Sequence, residues 1–123
     1  MSVRRIVKGD SLIIVDENDR PLLSIQEDIG EQEVKIVLKG EITFQVAHEF
    51  EDELISVASV CNSVTVDFSG VTFISSAGLK ILLSVQQVME KKKNSSFQLK
   101  ALSSRLASIF QDTGFAELFE IVQ

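Results

Sequence analysis

Three features of the sequence predict an α/β fold. Stretches with period-2 apolar alternation, such as Val34, Ile36 and Leu38 with Lys35 and Lys39 between and after them, interleave with stretches of helical periodicity. Their order, β-β-β-α-β-α-β-α with a final short segment, repeats strand then helix, the arrangement that builds a sheet with crossover helices. At 123 residues, 45% of them apolar, the chain has the length and the apolar content for one domain with its own core.

Residues 11–16 (SLIIVD) and 22–29 (LLSIQEDI) read as strands, and the turn formers and proline of residues 17–21 (ENDRP) predict a reversal between them. The next strand covers residues 33–39 and is expected to end at Gly40. From Phe44 to Val60 the apolar positions Ala47, Phe50, Leu54, Val57 and Ala58 recur at helical spacing, with Thr43 as the expected N-cap. His48, Glu49, Glu51, Asp52 and Glu53 fall mainly on the opposite side, where Glu49, Asp52 and Glu53 could steer a basic partner. Residues 64–68 (VTVDF) read as a buried strand and Ser69-Gly70 as a turn. A long apolar helix begins after Ser75 and ends in Glu90-Lys91-Lys92-Lys93-Asn94, whose cations complement its carbonyl end. Residues 96–102 form another strand. Ser103 or Ser104 caps a short helix that Gly114 ends, and residues 118–122 make a last strand or helical turn.

Composition excludes several chemistries. Cys61 and His48 are each the only residue of their kind, so the chain cannot supply the three or four ligands of a Cys/His metal site. A hydrolase reading of Ser75 or Ser76 would rest on His48 alone and lacks the Gly-x-Ser-x-Gly elbow, so no enzymatic activity is expected. Cys61 lies among Val60, Val64 and Val66 and reads as a buried thiol. A single cysteine makes no intramolecular disulfide, which fits a reducing compartment. The net charge of −6 argues against nucleic acid as a partner. The apolar run Leu12 to Val15 is too short for a signal-peptide core or a membrane span. The expectation is a cytoplasmic protein with no direct membrane insertion and no cofactor.

The charge is unevenly spread. Residues 41–60 hold five acids and no Lys or Arg, whereas residues 80–105 hold six Lys or Arg against Glu90 alone. Between these regions lies the segment 67–79 (DFSGVTFISSAGL), where a strand runs through a short loop into a helix. Ser75 is the natural N-cap and Ser76 lies in the first turn, with Ala77 and Gly78 allowing close approach. A phosphate on a hydroxyl there would meet unpaired backbone N–H groups at the positive end of the helix dipole, and its charge would repel an acidic partner.

Two motifs carry a family resemblance. Val37-Leu38-Lys39-Gly40-Glu41-Ile42-Thr43 resembles the "hydrophobic-x-G-E-L-D" strand end of the STAS domains. Residues 67–79 resemble that family's "D-L-S-x-V-x-F-M-D-S-S/T-G-L" signature, and Phe110-Gln111-Asp112-Thr113-Gly114-Phe115 its late "F-x-x-T/S-G-L" segment. Among STAS domains, the chain looks most like the free-standing anti-sigma factor antagonists of bacterial partner-switching systems. The resemblance covers about residues 23–123 and leaves residues 1–22 as a β-hairpin extension, which could extend the sheet, cover an edge strand or mediate a homodimer. It implies a single domain with a mixed sheet of about four to five strands and helices mainly on one face.

The resemblance also implies a role and a site. An unphosphorylated antagonist binds an anti-sigma factor that is also a serine kinase and so frees its client; a metal-dependent serine phosphatase reverses the mark. Carried over residue by residue, the phosphoacceptor is Ser76, with Ser75 as the alternative. The partner-binding residues are Gly40, Glu41, Thr43, Phe44, Ser75, Ser76, Ala77, Gly78 and Leu79. Three positions depart from the pattern: Ser75 and Thr43 stand where many relatives carry Asp, and Ala77 where they carry a second Ser or Thr. An alternative from another class is a STAS accessory subunit of a membrane lipid-transport complex, in which the serine region is a docking surface and phosphorylation plays no part.

Overall fold

The computed structural model describes residues 2–123. Its seven strands lie side by side in chain order: β1 (Arg4–Lys8), β2 (Ser11–Val15), β3 (Pro21–Ile29), β4 (Glu33–Ile42), β5 (Ser63–Ile74), β6 (Ser96–Lys100) and β7 (Glu120–Val122). The pairs β1/β2, β2/β3 and β3/β4 are antiparallel, and β4 to β7 are parallel. Three helices link the parallel strands, α1 (Ala47–Val60), α2 (Ser76–Glu90) and α3 (Ser104–Asp112). Right-handed crossovers that step in one direction put all three on the same face of the sheet.

Burial follows the sequence pattern strand by strand. Val34, Ile36 and Leu38 of β4, Val64, Val66 and Phe68 of β5, and Phe97 and Leu99 of β6 are buried. They form one core with Phe50 and Leu54 of α1, Leu82 and Val85 of α2, and Leu106 and Phe110 of α3. The Phe110 ring meets Phe68 edge-on at 6.4 Å and Phe119 at 6.0 Å, which ties α3 to both β5 and the last strand. On the opposite face, register places Asp28, Lys35, Thr65, Gln98 and Glu120 in one cross-strand row. Gln98 Nε2 donates to Glu120 Oε2 at 2.5 Å and Lys35 lies 3.9 Å from Asp67, so this uncovered face meets solvent as a ladder of polar and charged pairs.

The expected reversal at residues 17–21 is present. Asp16 Oδ1 accepts the N–H groups of Asn18 and Arg20, both at 2.9 Å. These bonds, the one from Arg20 foremost, hold the Asp16 carboxyl below the usual Asp value. The sheet exceeds the expected four to five strands because the N-terminal region joins it directly. Leu12 and Ile14 of β2 enter the same core, and the Arg5 guanidinium of β1 bonds Asp52 of α1 at 3.1 Å. β1 lies within the expected β-hairpin extension of residues 1–22 but has no strand pattern of its own; its five residues include three cations and make their ladder with β2 across a turn at Gly9-Asp10.

Four expected boundaries are corrected by two bulges and two loop conformations. Gly40 does not end β4: it adopts φ +123°, and a Cβ there would fall 2.4 Å from Leu22 O. The strand therefore continues to Ile42 past a register shift against β5. Ser69-Gly70 is likewise no turn. Asp67 Oδ1 takes the Ser69 N–H at 2.8 Å, Gly70 passes close to Leu38 O, and β5 runs on for 12 residues. Thr43 is extended and makes no side-chain cap; a single 3-10 turn at Phe44–Val46 comes between it and α1. β6 stops at Lys100 because Ala101 turns the chain at φ +63°. The cations after α2 also differ from expectation, since Lys92 Nζ donates to the carbonyls of Ala58 and Cys61 and so closes the C-terminus of the neighbouring helix α1.

Candidate functional site

β4 and β5 are the two longest strands, and they finish together, Ile42 paired with Ile74. Each then turns into a helix start, so the segments 43–46 and 75–78 lie side by side at the carboxyl ends of the parallel strands. Open α/β sheets place their working loops at such strand ends. The Ser75 N–H donates to Ile42 O at 2.8 Å and fastens the second segment to the first.

The two serines have different surroundings. Ser75 is 5% exposed, and its Oγ accepts the Gly78 N–H at 3.2 Å as the N-cap of α2. Ser76, the first residue of α2, is exposed and its hydroxyl makes no hydrogen bond among the described residues. A Cβ at Gly78 would lie 2.7 Å from Ile74 Cγ1 and 2.8 Å from Ile42 Cγ2, so glycine is what lets α2 begin against both strand ends. Leu79 is 2% exposed and belongs to the core.

The expected partner-binding residues therefore divide by exposure. Glu41, Phe44 and Ser76 are exposed, and Phe44 retains 71% of its surface. Gly40, Thr43 and Ala77 are half-buried. Ser75, Gly78 and Leu79 are buried and shape the site from beneath. The first turn of α2 contains no acid, so the positive end of its dipole faces outward beside the Ser76 hydroxyl.

Charges elsewhere are engaged inside the fold. Asp52 accepts from Arg5 and lies 3.3 Å from His48 Nε2, which is exposed as expected. Glu53 faces Glu27 of β3, whose Oε2 is buried with no hydrogen-bond partner. Burial first, then the hydrogen bond to Glu53 and its charge, push the Glu27 carboxyl up to about 8. For Asp67, burial alone would raise the carboxyl, but hydrogen bonds from Ser69 and the charges of Lys35 and Lys100 hold it below the usual value. Nothing in the sequence signals the Glu27/Glu53 pair, whose members lie on different elements. Cys61 is buried, as its apolar neighbours predict. A cleft of about 600 Å³ opens on the uncovered sheet face between Asp28, Lys35, Thr65, Gln98 and Lys100, and its lining includes none of the expected site residues. No helix among the described residues is long and apolar enough to cross a membrane.

The parallel half of the sheet thus carries its helices on one face, and a serine is exposed at the start of the second of them. Residues 25–123 match the family described as "Mlab, STAS domain", and the chain belongs to this family. Among curated proteins it is 26% identical over 101 residues to the anti-sigma-B factor antagonist of Bacillus subtilis (strain 168), which covers 80% of this chain and 92% of that protein. An anti-sigma factor antagonist from Mycobacterium paratuberculosis superposes with a TM-score of 0.72 at 23% identity, over 80% of this chain and 84% of that one. The Bacillus cell fate determinant SpoIIAA, an anti-sigma factor antagonist, superposes in its unphosphorylated and phosphorylated forms with TM-scores of 0.68 and 0.62. Both are 17% identical to this chain and cover 80% of it, with 88% and 91% of the respective structures matched.

Proposed function

We propose that this chain is an anti-sigma factor antagonist, a binding protein whose contact with an anti-sigma factor is switched by phosphorylation of Ser76. The observation that carries this reading is the contrast between the two serines. Ser75 is committed to the helix cap and buried, whereas Ser76 offers a free, exposed hydroxyl at the positive end of α2. The names of the similar proteins, and the existence of one of them in a phosphorylated form, support the same reading.

In the unphosphorylated state the docking surface comprises the exposed Glu41, Phe44 and Ser76 with the half-buried Gly40, Thr43 and Ala77 around them. Phe44 is the large apolar anchor, and aromatic anchors near the centre of an interface carry a large share of binding energy. The partner is an anti-sigma factor that acts as the serine kinase, and a metal-dependent serine phosphatase restores the free hydroxyl. A phosphate adds about −1.5 to −2 charges and three acceptor oxygens at the start of α2, which removes the fit to an apolar or acidic contact. All of this takes place in the cytoplasm.

Phosphopeptide mapping of the protein isolated from its own cells tests the reading. The phosphate is expected on Ser76; a phosphate on Ser75 alone, or a segment 70–80 that is never modified, refutes it. In the same system Ser76→Ala should keep binding to the kinase, and Ser76→Asp should weaken it.

A further inference from the structure

The proposed switch depends on how the fold receives a dianion on Ser76, and the residues for that are already in place. Ser76 opens α2 and Lys80 follows four residues later, so the two side chains share one face of the helix a single turn apart. Side chains on a helix lean toward its N-terminus, so the patch Lys80 covers is the turn that holds Ser76. Both residues are exposed, and Lys80 makes no ion pair among the described residues. It is also the only charged residue between Ser76 and Glu90. Other charged or titratable groups at this end of the fold include Glu41 at the end of β4, Lys100 at the end of β6, His48 and Glu49 in the first turn of α1, and Arg105 in the first turn of α3, with Arg4, Asp16, Asp19 and Arg20 at the same end of the antiparallel strands. None of them is on α2.

We propose that Lys80 is the cation that holds a phosphate carried by Ser76, pairing with it across one turn of α2. The proposal rests on Ser76 being the acceptor and adds the residue that sets the state of the mark. A phosphoserine has its second ionisation near pH 6 and is a mixture of monoanion and dianion around neutrality. An ammonium one turn away favours the dianion, so the surface receives its full two charges at cellular pH. Lys80 touches neither kinase nor client in this role; it is a positioning residue that acts through the phosphate.

The test uses the full chain with phosphoserine installed at position 76 by genetic encoding, and it follows the phosphorus NMR signal through a pH titration. In Lys80→Met the second ionisation is expected to move up by about half a pH unit, the size of one charge about 6 Å away in a largely aqueous setting. Lys80→Arg should restore the wild-type midpoint, which simple loss of an aliphatic stem would not explain. Equal midpoints in wild type and Lys80→Met overturn the role of Lys80 and leave the mapping result on Ser76 standing. Failure of that mapping overturns the reading of the switch and leaves the titration result standing.

Discussion

Glu27 gives the sharpest test of the electrostatics of this fold. Its carboxyl is pushed from 4.5 up to about 8 by burial and by Glu53, and its Oε2 is buried without a partner. Between these two pH values the native state holds a proton that the unfolded chain has released. The stability it contributes is therefore fully present below about pH 4.5 and is lost as pH rises through about 8. The slope is about 1.4 kcal/mol per pH unit, which over that whole interval would amount to roughly 5 kcal/mol. Glu27 is only partly buried, and solvent screening reduces the expected effect to about 1–2 kcal/mol. Glu27→Gln keeps a neutral side chain of the same shape beside Glu53 and does not titrate. Urea unfolding of both proteins at pH 5, 7 and 9 should show near-equal stability at pH 5. By pH 9 the variant should be ahead by about 1–2 kcal/mol, or several degrees in Tm. Titrating groups that do not touch Glu27 cancel in that difference, so what remains belongs to the Glu27/Glu53 pair. A difference that stays flat from pH 5 to 9, or that favours wild type at pH 9, would refute the account of the pair.

Three further substitutions probe the site and its supports. Ser75→Ala removes the cap on Gly78 N–H and should lower stability by about 1 kcal/mol while leaving Ser76 open to phosphorylation, as chemical denaturation and mass spectrometry would show together. Gly78→Ala forces a methyl into Ile42 and Ile74 and should cost about 1–3 kcal/mol in the same denaturation assay, with any loss of partner binding tracking the displaced start of α2. Lys92→Met leaves the Ala58 and Cys61 carbonyls without their ammonium donor. A loss of about 1–2 kcal/mol is expected, with faster amide exchange confined to the last turn of α1.

What the sequence reveals here is local, and what it hides is relational. The alternation over residues 33–39, the apolar helix after Ser75 and the serine pair at its start each depend on neighbours within a turn or two, and all three are where their pattern places them. Gly40 and Ser69-Gly70 carry the same local marks as terminators, yet both are bulges. Whether a glycine stops a strand or lets it squeeze past Leu22 or Leu38 depends on a partner strand far along the chain. β1, inside the expected hairpin extension, carries no pattern of its own for the same reason, since three cations in five residues become a strand only through the ladder with β2. The cations after α2 suggested a cap, but the helix that Lys92 caps is a different one. At the candidate site the sequence already marks Ser75 as the N-cap of α2, and the Gly78 N–H bonded to its Oγ bears this out while Ser76 is left exposed.

The bond from Ser75 N–H to Ile42 O has a consequence for the thermodynamics of any partner that docks there. It joins the strand end that leads into Phe44 to the helix start that bears Ser76, and the glycine wedge at position 78 leaves the join no slack. The backbone of both segments is thus ordered during folding and not on association, while the exposed Phe44 side chain still has to be ordered, at a cost of about 0.5–1.5 kcal/mol.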